Sequence, residues 1–340
     1  MNQGFLPAFE KHWETETGQE IEIESIFGPS DTLAECINMG GPADIALLSN
    51  EHHVRWFRIE KMIGNENQPI IIGYTPMVIV TRPGNPHGIV GYADLTQPNL
   101  HLVHADPRSS GAGEWSLLAE YGSALQESND PDIAAIQLQA IWDNVRLLGP
   151  SARATLTLFE LGAGDAVITY EQDARLAQER GVPLEIIVPA RTIIAQNIAV
   201  VVDDNISRCE RPFVKAFMDY LLSDTGQQVF SHYHMRTTGF ANNGFPPLIQ
   251  SSTVEDLGGW LDAYSRLVES RWQPSNFWRH TELYGAYHGG GNVEAPAYGS
   301  TPECWTHNVD QFRRVIENPA TFHIEVNLSI KSRLLRLTIR

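Results

Sequence analysis

The chain is poor in cysteine: three in 340 residues, Cys36, Cys209 and Cys304, far apart and odd in number. That argues against a disulfide framework and against a thiolate metal cluster. It also lacks any apolar run near the roughly 20 residues of a membrane span; MVIVT is of strand length. Basic charge is scarce, with 24 Lys and Arg against 41 Asp and Glu, a net charge of −17. Such a field repels phosphate backbones and excludes nucleic acid as a partner. Any bound anion is therefore held by local chemistry. The opening MNQGFLPAFEKHW has neither a basic segment nor an apolar one of leader type, so no secretory signal is expected in the chain as given, which reads as a mature or shortened form.

Enzyme signatures are missing too. There is no G-x-S-x-G elbow and no phosphate-binding G-x-x-x-x-G-K, and GAGEWS lacks the third glycine of a dinucleotide fingerprint. The pairs His52, His53 and His232, His234 would suit a metal only if they met in space, and no carboxylate cluster is evident beside them. They are expected to be solvated or capping residues. No catalytic residue, metal or cofactor is expected.

What is present is alternation. Phe5, Phe9 and Trp13 lie on one helical face, QEIEIES alternates like a strand, and helix 32–39 leads to the buried strand ADIALL. Strands MVIVT and LHLVH follow, then helices at 113–126 and 132–143. A strand ending in DAVITY, a helix at 172–180, strands LEIIVP and IAVVV and the helix PFVKAFMDYLL complete an α/β series. The length suits two domains. Beyond residue 273 the chain turns rich in Gly, Pro and aromatic residues, and its last stretch, EVNLSIKSRLLRLTIR, has strand alternation.

Three turns have the chemistry of an oxyanion site. In DPRSSGAGEWS, two hydroxyls and nearly bare backbone open a helix, where unpaired N–H groups and the helix dipole favour negative charge. No lysine stands there, so Ser110, Gly111 and Ala112 would offer neutral donors; an ordinary serine cap is the alternative. IFGPSDTLAECI repeats the pattern at Ser30, and GPSARATL opens another helix at Ser151 and Ala152. Tyr170 ends the strand in GDAVITYE, where open α/β sheets place ligands, with a boundary tyrosine as the alternative.

DPRSSGAGEWSLLAEYGSAL, SARATLTLF, GDAVITYEQDARL, SDTGQQVFSHYHMR and VEDLGGW together resemble the substrate-binding proteins of sulfate and thiosulfate ABC transporters over residues 1 to about 272. The resemblance implies an α/β class II periplasmic-binding-protein fold, two doubly wound lobes with a ligand cleft between them. Residues 1–76 and 198–272 would form the first lobe, 77–197 the second, and 273–340 an extension without assigned role. It further implies that Ser30, Ser110, Gly111, Ala112, Ala152 and Tyr170 bind a dehydrated sulfate or thiosulfate. Delivery to an inner-membrane permease, a periplasmic location and a monomer are implied as well.

Four departures stand out against the family pattern. Ala112 replaces a glycine and adds a methyl near the anion; Tyr170 replaces an indole. Asp31 follows Ser30 where glycine is usual and is expected to point outward. A first strand is missing ahead of MNQGFLPAFEKHW, with the C-terminal tail one candidate to fill its place. The alternatives are the same scaffold holding molybdate, tungstate or phosphate, the last through Asp31, and a transferase or hydrolase using Glu171 or His104.

Overall fold

In chain order, α1 (Phe5–Thr17) leads to β1 (Ile21–Phe27), α2 (Ser30–Asn38), β2 (Ile45–Leu48), α3 (His52–Ile59) and the long β3 (Ile70–Thr81). Next come β4 (Leu102–Ala105), α4 (Gly111–Ser128), α5 (Pro131–Trp142), β5 (Val145–Gly149), α6 (Ala152–Glu160), β6 (Ala166–Tyr170) and α7 (Glu171–Glu179). The remainder is β7 (Glu185–Ile187), β8 (Arg191–Val201), α8 (Arg211–Leu222), α9 (Asp224–His232), β9 (Gln250–Ser252), α10 (Gly259–Ala263) and β10 (Arg333–Ile339). This computed structural model describes residues 1, 4–238, 244–269 and 333–339. The expected Gly- and Pro-rich character of 273–332 falls outside the described residues.

Period-2 alternation divides side chains between the two faces of each sheet. In β2, Ile45 and Leu47 join Phe5, Phe9 and Phe217 on one face, while Ala46 and Leu48 join Leu33 and Phe57 on the other. In β3, Met77 and Ile79 pack with Trp115, whereas Val78 and Val80 pack with Phe159. Four apolar clusters result, two per lobe, because both faces of each sheet are covered by helices. That is the doubly wound arrangement.

Two strands link the lobes. Ile70–Pro76 of β3 pairs with β8, and from Met77 onward β3 pairs with β6 and β7. The strand β8 turns the other way, from β9 at Arg191–Ile193 to β2 at Ile45–Leu48. Val254, Leu257, Trp260 and Leu267 pack with Trp115 and Leu118 in the second lobe. The resemblance implies a place for that segment in the first lobe, and its apolar side chains pack with those of α4.

A strand from the C-terminal end of the chain joins the first sheet. The strand β10 lies between β1 and β2 and pairs antiparallel with both, Ile21 opposite Ile339 and Ile45 opposite Leu335. The expected C-terminal strand is met at Arg333–Ile339, and it completes the first sheet. With β10 antiparallel to both neighbours, β1 and β2 run parallel and end at the same edge.

Candidate functional site

Parallel strands gather their C-terminal ends, and the turns that follow them form the cleft. In the second lobe β4 pairs in parallel with β5 and β6. Their ends deliver the 106–110 turn with α4, the Ser151 turn with α6, and Tyr170. The first two turns are tied together: Asp106 N–H donates to Gly149 O at 2.8 Å, and Ser109 Oγ donates to Pro150 O at 3.1 Å. In the first lobe, β1 delivers Ser30 and β2 delivers Ser49 and Asn50.

The α4 start is built for close approach. A Cβ at Gly113 would sit 2.5 Å from Pro107 N and 2.6 Å from Ala105 O, so only glycine lets the turn fold against the helix. A Cβ at Gly111 would fall on Ser49 Oγ of the facing lobe. Ser110 occupies the N-cap position but its hydroxyl makes no capping bond, unlike Ser151, whose Oγ accepts from Ala154 N–H at 3.1 Å. Gly113 N–H and Glu114 N–H both donate to Ser110 O. Ala112 is buried in the same apolar cluster as Trp115.

Opposite stand Ser30 and Ser49, with hydroxyls 2.7 Å apart. Ser49 reaches across the cleft: its carbonyl accepts from Trp115 Nε1 at 2.8 Å, and its side chain stands beside the Tyr170 phenol. Burial first, and then the Asp173 charge, push the Tyr170 phenol up, so it stays a neutral donor. Ser30, Gly111 and Tyr170 thus converge on Ser49. Ala152 opens α6 behind them, buried in the same core as Ala112 and Tyr170.

Two further expectations are corrected. Asp31 does not point outward; it is 4% exposed, with Oδ1 3.1 Å from His53 Nε2. Nor are His52 and His53 solvated or without a carboxylate cluster. His53 is fully buried, and Asp31, His53 and Glu114 each bring one donor atom within 4.8 Å of the others. Glu114 accepts from Asn50 Nδ2 across the cleft. Its carboxyl is raised well above the usual range by burial, and further by Asp31, with the Asn50 bond opposing. His52 stacks on Tyr264 with ring centroids 3.8 Å apart.

Local sequence missed Ser49, Asn50 and Glu114, and weighed His53 only as half of a histidine pair. The signal that found Ser30, a hydroxyl after a buried strand, was also present in ADIALLSN and would have found Ser49. The proposed enzyme residues are held elsewhere. Glu171 receives two bonds from Arg236, 2.8 and 3.1 Å, and His104 lies between Trp142 and Glu120.

Two α/β lobes joined by crossing strands, with strand-end turns meeting in a buried cleft, are the architecture of a two-lobed solute-binding protein. Residues 3–236 match the family model of the bacterial extracellular solute-binding proteins, and the chain belongs to that family. It is 31% identical over 271 residues to the sulfate-binding protein of Escherichia coli (strain K12), covering 75% of this chain and 82% of that one. It is 26% identical over 275 residues to the thiosulfate-binding protein of Pseudomonas aeruginosa (strain PAO1), again covering 75% of this chain and 82% of the relative. Among solved structures, the sulfate-binding protein SubI of Mycobacterium tuberculosis H37Rv superposes with a TM-score of 0.65 at 24% identity, over 70% of this chain and 86% of that one. A periplasmic thiamin-binding protein shares the fold at TM-score 0.62 and 15% identity, over 80% of this chain and 92% of its own.

Proposed function

We propose that the chain captures sulfate or thiosulfate between its lobes and hands it to an ABC permease. The observation that carries this reading is the convergence of Ser30, Ser49, Tyr170 and the bare α4 start at Gly111 in one buried cleft. Hydroxyls and the Gly111, Ala112 and Ala152 amides are neutral donors, and in a dry cleft they interact far more strongly with an oxyanion than in water. Ser110 adds a hydroxyl that no cap consumes. The first lobe is residues 1–76 with 198 onward, and the second is 77–197 together with the 254–268 segment that packs on it. The protein works as a monomer in the periplasm, and closure around the anion is what the permease reads.

Calorimetry with sulfate, thiosulfate, molybdate, tungstate and phosphate tests the reading. Saturable heat with sulfate or thiosulfate at micromolar ligand is expected. Phosphate is the informative competitor, because Asp31 or Glu114 would accept the proton that sulfate lacks. Absence of heat with all five anions would overturn the proposal.

A further inference from the structure

Two carboxylates wall a cleft read as an anion site, and that charge needs an account. Asp31 from α2 and His53 from α3 belong to the first lobe; Glu114 from α4 belongs to the second. All three are buried, and their donor atoms lie within 4.8 Å of one another. Asp31 Oδ2, Glu114 Oε1 and His53 Nδ1 have no hydrogen-bond partner, and His53 Nε2 has only the Asp31 carboxylate, 3.1 Å away. Buried polar atoms without partners are costly, and their presence on three residues whose donor atoms gather within 4.8 Å points to a missing occupant.

We infer that Asp31, His53 and Glu114 bind one divalent first-row cation that bridges the two lobes. One imidazole nitrogen and two carboxylate oxygens suit zinc-type ions, whose bonds of 2.0–2.2 Å place tetrahedral donors about 3.4 Å apart. The ion's two positive charges balance the two carboxylates, which removes their repulsion toward an incoming dianion. Three protein donors leave a tetrahedral ion one position, open to water or to an oxygen of the bound anion. Because the donors come from both lobes, cation binding favours the closed form.

The test uses the full chain, stripped with chelator and free of anion, so that its failure is separable from failure of the sulfate reading. Equilibrium dialysis with Zn²⁺ is expected to give one ion per chain. Asp31→Asn and Glu114→Gln should each weaken it more than about 10-fold, while His232→Gln with His234→Gln leaves it unchanged. Should the cleft variants fail to fold, Co²⁺ loading of the parent chain decides: a four-coordinate ion gives intense visible bands, and the weak spectrum of the hydrated ion would overturn the inference. Equal Zn²⁺ affinity in folded Glu114→Gln and parent, with loss in the surface double variant, would overturn it as well.

Discussion

The indole of Trp115 donates across the cleft to the backbone carbonyl of Ser49 at 2.8 Å. The donor sits one turn into α4 of the second lobe; the acceptor ends β2 of the first. Trp115 is otherwise a core residue, edge-on to Trp260 at 4.6 Å. One side chain therefore serves the second-lobe core with its ring and the inter-lobe contact with its N–H.

Trp115→Phe separates these roles. The phenyl keeps most of the core packing, but the Ser49 carbonyl loses its partner whenever the cleft closes. An unsatisfied buried acceptor costs about 1–3 kcal/mol, so anion affinity should fall roughly 5- to 150-fold in calorimetry. Thermal unfolding of the ligand-free protein should move little. Unchanged affinity with a lowered melting temperature would mean that the bond serves only the fold.

Gly111 and Gly113 should respond differently to the same methyl. At Gly113 the added Cβ meets backbone atoms of Ala105 and Pro107, which cannot yield without moving the turn, so Gly113→Ala should lower stability by several kcal/mol. At Gly111 it meets Ser49 Oγ from the opposite lobe, so Gly111→Ala should keep each lobe folded and block closure. Urea denaturation and ligand titration, run on both variants, resolve the pair. Equal losses of stability would show that the Gly111 contact is not one made on closing.

Where a feature depends on neighbours within one turn or one strand, it was legible in the sequence. The α4 start could be read because Ser-Gly-Ala-Gly is a local arrangement, and the strand ADIALL because four consecutive buried residues have no other use between turns. Asp31 was misread because its partners are 22 and 83 residues away in sequence (53 − 31 and 114 − 31) and on different helices. Nothing local to GPSD announces a histidine from α3 and a glutamate from α4. The antiparallel pairing of β10 with β1 is likewise a relation between chain ends.

Removing residues 333–340 should unpair one side of β1 and one side of β2, because β10 is the strand between them. Hydrogen exchange is the direct measurement. Amides of Ile21–Phe27 should lose protection by orders of magnitude, while those of Val145–Gly149 in the second lobe should keep theirs. Full protection of β1 in the truncated chain would rule out β10 as its partner.

Glu171 and Arg236 form a buried pair that ties the start of α7 to the segment after α9. Arg236 donates through Nε at 2.8 Å and Nη2 at 3.1 Å, and its side chain is 8% exposed against 1% for Glu171. Arg236 also gives a bond to Pro246 O, and Tyr74 and Arg236 exchange backbone bonds at the start of the shared strand β3. Arg236→Met leaves the carboxylate with only the partly exposed Arg175, 3.2 Å away, to balance it. Breaking a buried pair from one side costs about 3–5 kcal/mol, whereas replacing both partners by apolar groups is often near neutral. The double variant Glu171→Leu with Arg236→Met should therefore recover much of the stability lost in Arg236→Met, read as a coupling energy in a urea double-mutant cycle. Additive losses would mean that Arg236 acts through its backbone and Pro246 contacts rather than through Glu171.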